Sequence, residues 1–474
     1  MTQPVSKAAM LRELLLSNSF FIWMLIAIVA IATLLLFQLA SRKKIGLALE
    51  KAFAGFYIFI SPLLTQPPFN YLHLSNLQDT SGNTLSMLPY FFYPWVVLIL
   101  FSRIKAFGSN FIDFFAKVLM MNPFFLLYTL LPLLSTLWSI VPEVTLRAGI
   151  VFSAFTAFGF YLAARYEWHD LSRLWRWAYT ALGLASFIIR PPVGGGEFVG
   201  LTLSKNALGG ILALCTAFWY LHYSQGTKTT TERWISLGMM FFSFYLVRAN
   251  KSGGALVATI ILIIAVSSLN FLKKLSFQWA FTAIICFLVV SIIMTVFVVD
   301  NLEAIIVGGL GKDLTLTGRT EFWPQLMDAV NQRPWFGYGY EGFFQQDKLG
   351  PATPAYFIYT PVGFQPSNPH NGPIGILLAF GWPGLILMMT SLLLNLAYAV
   401  RYLSRSKLED AGIPICFLVY LIMSNITEGY IVIAKNAWLS YVMLSVRLAI
   451  DNASDTSNSS SSNSPRRSVA GTVD

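Results

Sequence analysis

Three kinds of residue in this chain have the type and spacing for chemistry. The first is His370, in the run Asn368-Pro369-His370-Asn371-Gly372, which closes a long polar connection and opens an apolar segment. A neutral imidazole at that edge can take a proton from an attacking hydroxyl; the same placement also suits an interfacial histidine beside an Asn helix cap. The second is a set of basic residues on connections that should be poor in them. Arg190 and Lys205 flank Gly194-Gly195-Gly196, Arg248 and Lys251 share the short turn from Arg248 to Gly254, and Arg319 lies in Leu316-Thr317-Gly318-Arg319-Thr320. Guanidinium groups grip phosphate oxygens as a fork and Lys adds point charge, so such residues would suit a shared anion, for example a lipid-linked diphosphate. Snorkelling to headgroups is the alternative reading; Arg319, between Gly and Thr well inside a polar segment, suits it least. The third is the remaining histidines, His73, His169 and His222, which read as solvated or interfacial.

The elements that must position these residues are membrane helices. Apolar residues make up 56% of the 474 and charged residues only 11%, too few charges to cover a water-soluble surface. Apolar segments fall at about 20–40, 47–64, 87–102, 120–140, 144–164, 175–189, 206–223, 234–248, 253–270, 279–299, 372–400, 411–425 and 431–449. They predict an all-α polytopic bundle with about 12–13 spanning helices, forming one membrane domain over 1–450 with an extra N-terminal helix at 20–40. Lys and Arg cluster in every second loop: Arg42 to Lys51, Arg103 to Lys117, Arg165 to Arg176, Lys228 and Arg233, Lys273 and Lys274, Arg401 to Lys407. That side is expected to be cytoplasmic, which places the N-terminus outside. The net charge of +10 therefore reflects topology and gives no reason to expect nucleic acid. Cys215, Cys286 and Cys416 lie in apolar segments without metal-ligand spacing. Residues 451–474, rich in Ser and Asn, are expected to form a disordered cytoplasmic tail.

The connection at 300–371 is the longest and falls on the outer side. Phe322, Leu326, Met327 and Val330 recur at helical spacing, and Pro324 suits the first turn of that helix. An aromatic, turn-rich run follows, Pro334-Trp335-Phe336-Gly337-Tyr338-Gly339-Tyr340, and then a proline-rich return to His370.

The spacing His370-Asn371, nine residues, Gly381-Trp382-Pro383-Gly384 resembles the signature of bacterial O-antigen ligases and Wzy-type polymerases. The run from Leu310 to Trp323, with Pro334 to Tyr340, is similar to the exopolysaccharide-polymerase branch. Leu134 to Ser139, Gly200 to Asn206 and Asn425-Ile426-Thr427-Glu428 stand in the same order, so the resemblance covers about 120–450. It implies a metal-independent, cofactor-free, inverting GT-C-type glycosyltransferase of the bacterial inner membrane, its site on the periplasmic face. The donor would be an undecaprenyl-diphosphate-linked glycan, the acceptor a lipid-linked glycan or lipid A core, with membrane lipids and a chain-length regulator as partners.

On that resemblance His370 is the candidate base and Arg319 the main diphosphate ligand, with Lys205, Arg248, Lys251 and Arg190 beside it. Asn371, Asn206, Asn425 and Glu428 would support them; Glu428 would position His370 or a sugar hydroxyl, or make a structural hydrogen bond. Tyr338 and Tyr340, with Trp335 and Trp323, would stack on sugars or anchor at the interface. One departure matters: many members carry Ser-Arg-Thr or Ser-Arg-Gly where this chain has Lys251-Ser252-Gly253-Gly254, so Arg248 or Lys251 must substitute. The expected function is polymerisation of lipid-linked repeat units. A ligase with the same machinery is the first alternative, and a flippase for the lipid-linked unit is the alternative of another class.

Overall fold

The computed structural model describes residues 44–63, 113–189, 198–202, 204–226, 229–310, 319–360, 363, 365–427, 429 and 435–462. Within them every regular element is a helix, and no strand occurs among the described residues. The helices are α1 (Lys44–Ile60), α2 (Asp113–Met121), α3 (Pro123–Leu134), α4 (Pro142–Arg165), α5 (Trp168–Ile189), α6 (Lys205–Leu221) and α7 (Thr230–Ala249). They continue as α8 (Gly253–Leu272), α9 (Phe277–Leu310), α10 (Arg319–Gln332), α11 (Gly372–Arg405), α12 (Leu408–Thr427) and α13 (Lys435–Ser462). Their starts are written locally. Asn122, Ser204, Ser252 and Asn371 each accept a hydrogen bond from a backbone N–H of the first turn, and Thr229 forms a capping box with Glu232.

The architecture is that of a polytopic helical membrane protein. Among the described residues five helices are long and apolar enough to cross a membrane: α4, α8, the Phe277–Val296 part of α9, α11, and Glu409–Ile426 of α12. A sixth arises if α2 and α3, bent by 99° at Asn122, count as one span. The expected segments 20–40 and 87–102 lie outside the described residues. Helix α6, at 17 residues, and the Asn436–Ala449 part of α13 have nearly every side chain buried. Their polar groups are satisfied internally, as a water-poor interior requires. Asn122 Nδ2 donates to Ser391 Oγ (3.1 Å) and Asn395 Oδ1 (3.2 Å), Asn395 Nδ2 donates to Ser445 Oγ (2.7 Å), and Ser391 pairs with Tyr441 Oη (2.6 Å). This network pins the α2–α3 bend to α11 and α13.

The charge clusters gather at one end of the bundle. Arg165 pairs with Glu50 (3.1 Å), Lys51 with Asp170, Arg447 with Asp451 (2.7 Å) and His222 with Glu409 (2.8 Å), while Lys273 reaches the Ser406 carbonyl. Helices α6, α8, α11 and α12 all have one terminus there, so Lys205, Ser252, Gly372 and Thr427 lie at the opposite end.

Three boundaries differ from expectation. Helix α9 continues to Leu310, past the 300 at which the long connection was expected to begin. Helix α10 runs from Arg319, so Pro324 sits inside it rather than in its first turn; without an N–H it cannot donate to the Thr320 carbonyl. Helix α13 runs past 450 to Ser462, into the stretch expected to be disordered. Composition alone missed the tertiary contact there: Asn452 is buried and donates to the carbonyls of Tyr398 (3.4 Å) and Leu448 (2.9 Å).

The connection between α9 and α11 carries its own small core. Phe322, Leu326, Ala329 and Val330 of α10 pack with Tyr338, Phe343, Ala355 and Ile358 against Ile374, Leu377 and Leu378 of α11. The amphipathic spacing expected for α10 is thus realised, its apolar face lying on the first turns of α11.

Candidate functional site

The site is built around a break in α11. Gly381 has φ 67° and ψ −166°, a conformation essentially closed to residues with a Cβ, and Pro383 has no N–H to give Ala379. The freed groups are served by the aromatic run. Tyr338 N donates to Leu378 O (2.7 Å), Gly339 N to Ala379 O (3.1 Å), and Trp382 N to Pro334 O (2.8 Å). A Cβ at Gly381 would lie 2.4 Å from Pro334 O, and one at Gly337 would lie 2.5 Å from Leu378 O, so both glycines are required by backbone approach. The other side of the run is locked to the α3–α4 corner. Tyr340 N donates to Ser135 Oγ (3.1 Å), Thr145 Oγ1 to Tyr340 O (2.9 Å), and Trp138 Nε1 to Phe336 O (2.7 Å). Three runs distant in sequence (Leu134 to Ser139, Pro334 to Tyr340, Gly381 to Gly384) therefore make one rigid joint.

That joint corrects one expectation. Tyr338 and Tyr340 are buried at 2% exposure each and do not offer their rings to a sugar. Tyr338 Oη donates to Ala329 O (2.9 Å), and burial raises its pKa, with Arg333 opposing. Tyr340 stacks on Phe380. The sequence leaves these aromatics to stack on sugars or to anchor at the interface; here instead each glycine admits a backbone contact and each tyrosine fills the space beside it. Trp335, exposed, keeps an open ring.

His370 stands at the mouth of this assembly. Its backbone is left-handed, φ 46°, which costs a residue with a Cβ about 1–2 kcal/mol. The conformation is held from three sides. His370 N donates to Asn368 Oδ1 (2.9 Å), Asn371 caps α11 through Ile374 N (3.1 Å), and Trp323 Nε1 donates to Pro369 O (3.0 Å). The last bond ties α10 to the residue before His370. Arg319, the first residue of α10, lies four residues ahead of Trp323, about 6 Å along the axis. Gly372 packs so tightly on Asn425 that a Cβ would meet its Oδ1 at 2.4 Å. Gly429, at φ 70°, lies against the Asn371 and Gly372 backbone. The end of α12 therefore closes on the His370 turn from the other side. Glu428, one residue from Gly429, lies outside the described residues, as does Arg190.

The remaining basic candidates form a second group at the same end. Lys205 opens α6 behind the Ser204 cap, and Asn206 Oδ1 accepts from Ser252 Oγ (3.0 Å). Asn250, fully buried, donates to Phe198 O (2.7 Å), and this fastens the α7–α8 turn over the start of α6. On that turn Arg248 and Lys251 are exposed, and Lys251 is left-handed at φ 57°. Helices α6 and α8 both pack along α12 and run antiparallel to it, with Leu221 and Leu269 against Gly412 near its start, so the Lys205–Lys251 group and the Asn425–His370 group share the end of one helix. Sequence reasoning missed Trp323 and Gly372 as positioning residues. The signal was present only as a tryptophan at helical spacing and as the glycine after a cap.

Residues 237–389 match the family model described as O-Antigen ligase. That span includes Arg248, Lys251, Arg319, His370, Asn371 and the Gly381 break; Lys205 and Asn425 lie beyond it. The chain is also similar to the exopolysaccharide production protein ExoQ of Rhizobium meliloti (strain 1021), 26% identical over 312 residues, which are 62% of this chain and 67% of that protein. Both findings are a likeness, to O-antigen ligases over that span and to an exopolysaccharide production protein over more of the chain.

Proposed function

We propose that this chain is a glycosyltransferase that polymerises undecaprenyl-diphosphate-linked repeat units into exopolysaccharide or O-antigen at the periplasmic face of the inner membrane. The supporting observation is the Trp323–Pro369 hydrogen bond, which joins the helix opened by Arg319 to the turn bearing His370. Both lie at the end of the bundle away from the clustered loop charges, the end that positive-inside topology assigns to the periplasm.

In this reading the acceptor hydroxyl attacks the anomeric carbon of the donor glycan from the face opposite the diphosphate. The new glycosidic C–O bond forms as the bond to the diphosphate oxygen breaks, with inversion. The hydroxyl proton passes to His370, and undecaprenyl diphosphate leaves with the bonding pair. Arg319, with Lys205 and with Lys251 or Arg248, balances that charge. Fixed cations aimed at a developing charge commonly supply the largest catalytic contribution. Asn425 and Asn371 hold the His370 turn, and Glu428 is assigned a positioning role beside it. The reaction is expected to need no metal and to proceed unchanged in chelator.

The test is incubation of the purified chain with a defined undecaprenyl-diphosphate oligosaccharide, with products resolved by mass. Lengthening of the lipid-linked glycan supports polymerisation; Arg319→Ala and His370→Ala should abolish it at normal membrane levels. Full activity in either variant removes that residue's role. The family description favours a second reading, transfer of the finished glycan to lipid A core or to a protein. Transfer to a core acceptor without chain growth would establish it. Movement of the lipid across proteoliposomes without any glycan transfer would establish a transporter instead.

A further inference from the structure

The opposite end of the bundle holds a cavity lined by Arg173, Arg176 and Glu232, which takes no part in the proposed transfer. It has a volume of about 250 Å³ and lies between α5, the end of α6 with its following turn, and the start of α7. Arg176 lines it and is only 4% exposed. Its Nε has no hydrogen-bond partner among the described residues, although the guanidinium lies over the Trp219 ring at 4.7 Å. A buried guanidinium nitrogen without a hydrogen-bonding partner is costly, and such groups are normally paired.

The neighbouring carboxylates do not supply the missing bond. Glu409 attracts Arg176 through space, but its Oε1 is bonded to His222 Nδ1 (2.8 Å). Glu232 spends its Oε2 on the Thr229 N–H of the α7 capping box (3.1 Å). Arg173, exposed at the rim, commits one nitrogen to His169 (2.9 Å) and keeps the rest of its fork. The lip of the cavity is apolar: Trp177 and Ile235 line it and are 48% and 44% exposed.

We propose that this cavity binds the phosphodiester headgroup of an anionic phospholipid. The phosphate sits on the Arg176 and Arg173 guanidinium groups, and an acyl chain lies along Trp177 and Ile235. Two guanidinium forks converging on one pocket suit a tetrahedral oxyanion, and basic pockets between membrane helices on the cytoplasmic side take such headgroups. The apolar lip at the lipid-facing surface favours a membrane lipid over a soluble phosphate.

The test uses the full chain, delipidated in detergent and titrated with phosphatidylglycerol, phosphatidylcholine or inorganic phosphate while thermal stability and native mass are followed. Phosphatidylglycerol should bind about tenfold more tightly than phosphatidylcholine. Arg173→Ala and Arg176→Gln should each bring the two lipids to near parity. Because Arg176 is buried its variant can fail to fold; the Arg173 change at the exposed rim then decides alone. Equal binding of both lipids, or a preference surviving in Arg173→Ala, overturns the proposal. Saturable stabilisation by inorganic phosphate as strong as by phosphatidylglycerol overturns the lipid assignment and makes a soluble phosphate the ligand.

Discussion

Gly381→Ala should disable the proposed glycan transfer without touching a candidate chemical group. Alanine at φ 67°, ψ −166° is strained by about 1–3 kcal/mol. Its Cβ would also lie 2.4 Å from Pro334 O and 2.5 Å from Trp335 C, both backbone atoms, so the aromatic run must move away. That movement breaks the three hydrogen bonds from Tyr338, Gly339 and Trp382, each contributing about 0.5–1.5 kcal/mol. The sum is about 2.5–7.5 kcal/mol, a large part of an ordinary domain's stability. The His370 turn is linked to the same run through the core shared by α10, Tyr338 and the first turns of α11, so it shifts with it. A misplacement of about 1 Å commonly costs about a hundredfold in rate. Amide exchange in detergent should show residues 334–340 losing protection, and polymer formation should fall by about two orders of magnitude. The control is Gly238→Ala, within α7, where an added Cβ meets nothing within 4 Å; it should be neutral or slightly stabilising. Native exchange and native activity in Gly381→Ala would refute the reasoning, because the break would then not depend on the glycine.

Other consequences follow from the same geometry. Trp323→Phe keeps the ring packing but deletes the bond to Pro369 O; a turnover loss of about tenfold with unchanged thermal stability is expected, and full turnover would show that the tie does not position the site. Gly372→Ala drives a Cβ into Asn425 and should reduce activity sharply, whereas adding Asn425→Ala should restore part of it; a double variant no better than the single one would break the inferred contact. His370→Gly relieves a left-handed φ, so thermal stability should equal or exceed wild type by up to about 1 kcal/mol while glycan transfer is lost. A marked fall in melting temperature would show that the side chain has a structural use greater than the strain it imposes.

Much of the bundle was legible because the bilayer imposes a coarse rule: apolar runs of a certain length become helices, and Lys and Arg sort to one side. The charge clusters at Arg165, Lys273, Arg405 and Arg447 do meet at one end, as their alternation required. The helix starts at Asn122, Ser204 and Asn371 were similarly readable, since a cap is satisfied within three or four residues. Tyr338 and Tyr340 were misleading for a physical reason. A tyrosine beside a glycine has the same local pattern whether its ring faces a ligand or a core, and burial depends on what the rest of the chain brings over it.

The sequence by itself determined that this is a membrane bundle, which end carries the loop charges, and that His370 opens a helix. These follow from hydropathy, charge and capping, all of which act over a few residues. Only the tertiary structure decided that Gly381 breaks α11 so that Pro334 to Tyr340 can supply its missing hydrogen bonds, that Trp323 brings α10 onto Pro369, and that Arg176 is buried in a cavity at the far end. Each of these depends on backbone or side-chain groups distant in sequence finding one another where water is scarce, and no local pattern records which partner an unpaired group will find.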